Sequence, residues 1–167
     1  MGDEGVLVFV HGDIVDVPAD VVVIAANAKG TMGGWLGRYV RLKGTAEGLN
    51  YATHGAIEKE AKRIARRDNP GLGDVYITGA YDLPARWVVH AVTRLKPGQR
   101  SSLEIVGRCV EHVVGTCQML GAKKVVLPLL GTETEGLETK DVEALYGGTL
   151  GKMEDLQIMV VRPQTER

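Results

Sequence analysis

The sequence predicts an α/β fold of three layers, an α/β/α sandwich with helices on both faces of one central sheet. Three observations lead there. Short β-branched runs alternate with longer segments of helical period, the pattern of strand–helix–strand units. Several runs are apolar at every position rather than at alternate ones, as in strands covered on both faces. The chain has 167 residues, 44% hydrophobic and 25% charged, which suits one globular domain over 1–167 and argues against disordered or fibrous classes.

Taken in order, "VLVFVH" (6–11) and "DVVVIAA" (20–26) read as the first two strands. A short amphipathic helix is predicted over 35–43, and a longer one over 48–67 that stops at "RRDNPG", where Pro70 and Gly71 end it. The last turns of that helix carry Lys59, Lys62, Arg63, Arg66 and Arg67. These cations suit the negative end of the helix dipole, and Glu58 can pair with Lys62 at i, i+4. No aromatic residue interrupts them, so a solvated face is expected rather than a nucleic-acid patch. "DVYITG" (74–79) and "RWVVHAV" (86–92) are the next strands. The clearest helix is 101–120, where Leu103, Val106, Val110, Val113, Cys117 and Leu120 form one stripe. Ser101 or Ser102 can cap its start, and Gly121 can end it. "KKVVLPLL" (123–130), a helix over 139–153 weakened by three glycines, and "LQIMVV" (156–161) complete the chain.

The net charge of −1 gives no global attraction to nucleic acid or to anionic membrane. No apolar run is long enough to span a bilayer, and the acidic start does not read as a signal peptide. Cys109 and Cys117 fall on one helix about 12 Å apart, too far for a disulfide. A reduced, cytoplasmic protein is expected. Cys109 and His112 lack a second pair with which to bind metal, so no metal and no cofactor is expected.

Two loops attract attention. "NAKGTMGGWLG" (27–37) follows a buried strand and brings Gly33 and Gly34 to a place where backbone can approach a ligand. It fits neither GxGxxG nor GxxxxGK[ST]. "GTETEG" (131–136) also leaves a buried strand and precedes a helix, a setting that suits a phosphate. Glu133 and Glu135, however, put negative charge where an anion would sit. Two such loops in one open α/β sheet point to a ligand at the carboxyl ends of the strands.

Three stretches, in order and at matching spacing, resemble the macro domain family: "GDIVDVPADVVVIAAN" (12–27), "GDVYITGAYDLPARWVVHAV" (73–92) and "LGAKKVVLPLLGTETEG" (120–136). The resemblance implies a mixed, mostly parallel sheet and a cleft that binds ADP-ribose. It places Asp13 at the adenine amino group with Ile14 beside it, a role chemically apt for a carboxylate acceptor. Ala26 and Asn27 match the strand end at the distal ribose. Gly33, Gly34, Trp35 and Leu36 match the first glycine loop. Leu130, Gly131, Thr132, Glu133, Thr134, Glu135 and Gly136 match the loop around the diphosphate, whose two acidic side chains are expected to point into water.

The sequence also departs from the family. Ile24 replaces the first Asn of the NAAN pattern, and Trp35 replaces a third glycine. Gly37 and Met32 stand at the acidic and His positions of the family's enzymes. Binding of ADP-ribose or a related adenine nucleotide metabolite is therefore expected rather than catalysis. Two alternatives stay open. One is a hydrolase of an ADP-ribose ester or phosphate; the other is a degenerate domain acting in protein or RNA contact. Many family members continue into a closing helix after the last strand, so a homo-oligomer is also expected.

Overall fold

A computed structural model describes residues 6–162. The six expected strands form one sheet: β1 (Val6–His11), β2 (Val21–Asn27), β3 (Val75–Gly79), β4 (Trp87–Arg94), β5 (Lys124–Pro128) and β6 (Gln157–Arg162). Their spatial order is β1-β6-β5-β2-β4-β3, with every neighbouring pair parallel except β3–β4. Among the described residues, four α-helices cover it: α1 (Thr45–Ala52), α2 (Ala56–Asp68), α3 (Leu103–Leu120) and α4 (Thr139–Thr149).

The two faces are built from alternate residues of the same strands. Val21 and Val23 of β2 join Val125 and Leu127 in a core under α3 and α4, with Val106, Val110, Val142 and Tyr146. Val22, Ile24 and Ala26 point the other way, against Leu49 of α1 and Ile57, Ala61 and Ile64 of α2. The uninterrupted apolar runs thus follow from helices on both sides. Burial of each such valine contributes about 1.5–3 kcal/mol before entropy is counted.

Three helix expectations need correction. The segment 48–67 is two helices, because His54 (φ 52°) and Gly55 (φ 86°) take left-handed backbone between α1 and α2. A side chain at Gly55 would also meet Arg38, with Nε 2.5 Å from an added Cβ. The segment 35–43 holds only a short 3-10 turn, Leu36–Arg38. Its apolar residues Trp35, Leu36, Tyr39 and Val40 are exposed, so no buried stripe stabilises a longer helix. α4 stops at Thr149, and Leu103 in the stripe of α3 is exposed. The caps of α3 are as expected: Ser102 accepts from the Ile105 N–H at 3.2 Å, and Gly121 (φ 67°) ends the helix.

Candidate functional site

β2 and β5 are neighbours in the sheet, yet the chain leaves them in opposite directions. From β2 it runs to α1 and α2 on one face, and from β5 to α4 on the other. This divergence at the carboxyl ends is a topological switch point, where an open α/β sheet usually has its ligand crevice. The two glycine loops of the sequence form its walls.

The first wall is organised by two buried polar side chains. Asn27, 1% exposed, accepts from the N–H groups of Lys29 (3.0 Å) and Thr31 (3.2 Å) and donates to the Thr31 carbonyl (3.2 Å). Its amide therefore holds the loop and keeps one N–H for anything else. Glu58 is fully buried, on a helix whose Lys59, Arg63, Arg66 and Arg67 form the expected solvated face. One carboxylate oxygen accepts from the N–H groups of Met32 (2.5 Å) and Gly34 (2.9 Å), and the other faces Lys62 at 3.5 Å. Gly30 is required because a Cβ there would lie 2.7 Å from the Ala61 backbone of α2. Gly34 (φ 65°) faces open space, while Trp35 and Leu36 are exposed, with Trp35 edge-on to Tyr39 at 5.4 Å between centroids.

The second wall is anchored from below. The buried Tyr146 hydroxyl donates to the Pro128 carbonyl at 2.7 Å and accepts from the Leu130 N–H at 3.0 Å. Leu130 is itself buried, so its side chain belongs to the core. The loop closes on itself through Leu137 N–H to the Gly131 carbonyl at 3.1 Å, with Gly131 (φ 83°) and Gly136 (φ 89°) in left-handed backbone. The Thr132 hydroxyl donates to the Leu129 carbonyl at 2.7 Å. Among the described residues, the N–H groups of Glu133, Thr134, Glu135 and Gly136 make no hydrogen bond.

The acidic side chains do not both point into water. Glu135 is 2% exposed and turns under the loop to pair with Arg94 at 2.8 Å. Burial raises its carboxyl above the ordinary range, opposed by the Thr93 hydroxyl and Arg94. Arg94 also donates to the Thr134 hydroxyl at 3.3 Å. A register shift at the end of β2 puts Arg94 opposite Asn27, at the floor of the crevice. Glu133 is exposed, and its carboxylate reaches the first turn of α1, accepting from the Thr45 N–H at 3.3 Å and from the Thr45 hydroxyl. Glu47, two residues further along α1, has its carboxyl raised by burial first, with Glu133 and Glu58 adding to it.

Asp13 caps the 3-10 turn Ile14–Asp16, accepting from the Val15 N–H at 3.2 Å. Its other oxygen pairs with Arg41, and Ile14 behind it is buried. His90 lies outside the crevice, fully buried, stacked on Tyr76 at 4.6 Å and bonded to Thr78 at 2.8 Å. Burial pushes its pKa down to about 3, so it is neutral. His112 is likewise committed, to the Gly73 carbonyl at 2.6 Å. No group of three or more His, Cys, Asp or Glu among the described residues could hold a metal ion. No helix among them is long and apolar enough to cross a membrane.

Residues 23–146 match the family model of the macro domain. The chain belongs to the macro domain family. An uncharacterized protein of Aeropyrum pernix is 32% identical over 166 residues, covering 97% of this chain and 81% of its own. A macro domain-containing protein of Streptomyces coelicolor is 30% identical over 129 residues, covering 75% and 71%. Among solved structures, the macrodomain of Mycobacterium tuberculosis DarG shares the fold with a TM-score of 0.82 at 17% identity, covering 96% of this chain and 99% of its own. The Oceanobacillus iheyensis macrodomain with ADP gives 0.80 at 20% identity, covering 98% and 86%. Thermosipho africanus DarTG in complex with ADP-ribose gives 0.78 at 19% identity, covering 96% of this chain and 42% of its own.

Within this macro fold, four residues that shape the crevice escaped the sequence reading: Arg94, Glu58, Thr45 and Tyr146. Two of them left a signal. Glu58 shares an i, i+3, i+7 row with Ala61 and Ala65, which marks a buried position. Arg94 is the first charged residue after an apolar strand.

Proposed function

We propose that the crevice binds ADP-ribose or a related adenine nucleotide metabolite. One observation carries the reading: four consecutive N–H groups, Glu133 to Gly136, make no hydrogen bond among the described residues, in a closed loop at the sheet's switch point. Such a row of backbone donors suits a diphosphate, and it is indifferent to which side chains the loop carries. Arg94 supplies a half-buried positive charge beside the loop, with Glu135 offsetting part of it, and the exposed Arg100 packs against Gly136. Asp13 accepts from the adenine amine while sharing its charge with Arg41. Structures of the same fold hold ADP-ribose in the Thermosipho protein and ADP in the Oceanobacillus one, which supports the choice of ligand.

Binding rather than turnover is proposed because the first loop offers no base. Met32 is buried, and a Cβ on Gly37 would lie 3.0 Å from Asn50 Nδ2. A calorimetric titration with ADP-ribose tests the reading; no heat and no protection against thermal unfolding at millimolar ligand would refute it. One observation favours the hydrolase alternative. Glu47 sits against the first loop, its Cγ 3.3 Å from an added Cβ on Gly33, with a raised pKa that suits a general base. Release of free ADP-ribose from an ADP-ribose ester, abolished in Glu47→Gln, would establish that alternative instead.

A further inference from the structure

We propose that Glu133 is the latch of this crevice, a carboxylate on one wall that fastens to the other and must let go before ligand enters. The inference rests on the nucleotide-binding reading for its ligand, but not for the latch itself. Residues 129–136 and the first turn of α1 belong to chain segments that diverge to opposite faces of the sheet. Glu133 bridges them across 88 positions of sequence, with the Thr45 N–H at 3.3 and 3.4 Å from its two oxygens and the Thr45 hydroxyl bonded as well. Among the described residues, these are the hydrogen bonds that join the two segments.

The start of α1 is built to receive such a group. Gly44 (φ 122°) holds the cap position and offers no side chain to the first N–H groups of the helix. Glu133 supplies from a distance an acceptor for the Thr45 N–H, beside the local Glu47, whose carboxylate folds back against Gly44. Its exposure makes the bond breakable, since water can replace either partner. A carboxylate fixed there also lies on the same loop as the free N–H groups of residues 133–136. An incoming diphosphate therefore meets a like charge, and opening of the bridge frees that carboxylate to swing outward into water. Release precedes entry, so binding proceeds from a minor open population.

The experiment has two arms, both on the whole chain. The first needs no ligand: amide hydrogen exchange of wild type, Glu133→Ala and Thr45→Val. The Thr45 amide is expected to exchange roughly tenfold faster in Glu133→Ala, the scale of a lost charge-assisted bond. Thr45→Val keeps the N–H but loses the hydroxyl, and is expected to give an intermediate rate. Exchange at position 45 unchanged in Glu133→Ala overturns the latch whatever the ligand does. The second arm is stopped-flow mixing with ADP-ribose. The observed rate in wild type should reach a plateau as ADP-ribose rises, and in Glu133→Ala it should stay linear to concentrations about tenfold higher. Equal concentration dependence in the two proteins overturns the gating. If neither protein binds ADP-ribose, the proposed function fails, and the exchange arm alone still decides for or against the latch.

Discussion

Replacing Arg94 by Met would separate a buried ion pair while keeping most of the side-chain volume. Arg94 and Glu135 side chains are 14% and 2% exposed, and their charged atoms are 2.8 Å apart. At an effective dielectric of 20 the attraction at that distance is about 6 kcal/mol, largely offset by taking both ions out of water. Removal of the cation leaves Glu135 buried and uncompensated, which costs about 3–5 kcal/mol when it is ionised. For a chain of this size that lowers Tm by about 10 °C. The pH dependence follows from the sign of the shift. The Glu135 pKa in the fold is raised above its ordinary value of 4.5, chiefly by burial. Its protonated form is favoured by folding, so that contribution is full below about pH 4.5 and is lost as pH rises through the folded pKa. Arg94 holds that folded pKa down, so Arg94→Met should raise it further and lose stability over a wider pH range. Thermal unfolding of Arg94→Met, Glu135→Gln and the double variant from pH 4 to 8 gives a double-mutant cycle that cancels other titrating groups. The double variant should recover most of the loss at pH 8. An Arg94→Met protein as stable as wild type at pH 8, or a double variant no better than the single, would refute the reasoning.

Asp13→Ala should weaken ADP-ribose binding by roughly 1.5–3 kcal/mol, the scale of a hydrogen bond to a charged group; equal affinity for adenine and hypoxanthine forms of the ligand would remove this assignment. Tyr146→Phe leaves the Pro128 carbonyl and the Leu130 N–H without their partner, at a cost of about 1–3 kcal/mol in urea unfolding. The same variant should bind ligand less well, because that hydroxyl fixes the start of the second loop; unchanged stability would count against it. Burial pushes the thiols of Cys109 and Cys117 up to about 12, so neither should react with a disulfide reagent in the native protein, and both should in denaturant. Rapid native labelling of either would contradict their burial.

The sheet was legible because its strands are covered on both faces. Val21 to Ile24 feed two cores at once, so the run is apolar throughout and announces a buried parallel strand. The helical layer was less so. The break at His54 and Gly55 packs against Arg38, a contact between residues 17 positions apart that no local pattern carries. At the site, the glycines and the strand ends were readable, because backbone conformation leaves a mark in residue type. The polar partners were not. That Glu58 serves Met32 and Gly34, or that Glu135 meets Arg94, depends on which segments the topology brings together. A charged residue read alone defaults to solvent.

The acidic loop acquires an explanation from those partners, and the explanation fixes the sign of a salt effect. Glu135 neutralises Arg94, Glu58 is matched by Lys62 while it holds the first loop, and Glu133 caps α1. Glu47 and Glu133 have no cationic partner within 4.0 Å among the described residues. Glu47 is opposed only at longer range by Arg94, and the exposed Arg100 guanidinium packs against Gly136, while residues 133–136 themselves offer an anion neutral N–H groups. A unit charge about 7 Å from a phosphate opposes it by about 2.4 kcal/mol at an effective dielectric of 20 and about 0.6 in water. Added salt screens this repulsion where the charges are exposed, as Glu133 is. Affinity for ADP-ribose should then stay level or rise between about 0.05 and 0.5 M salt, whereas a site that relied on basic side chains would lose affinity over the same range. Glu133→Gln should raise affinity at low salt and flatten the dependence. A steep fall of wild-type affinity with salt would mean that cations, not the backbone of residues 133–136, hold the diphosphate.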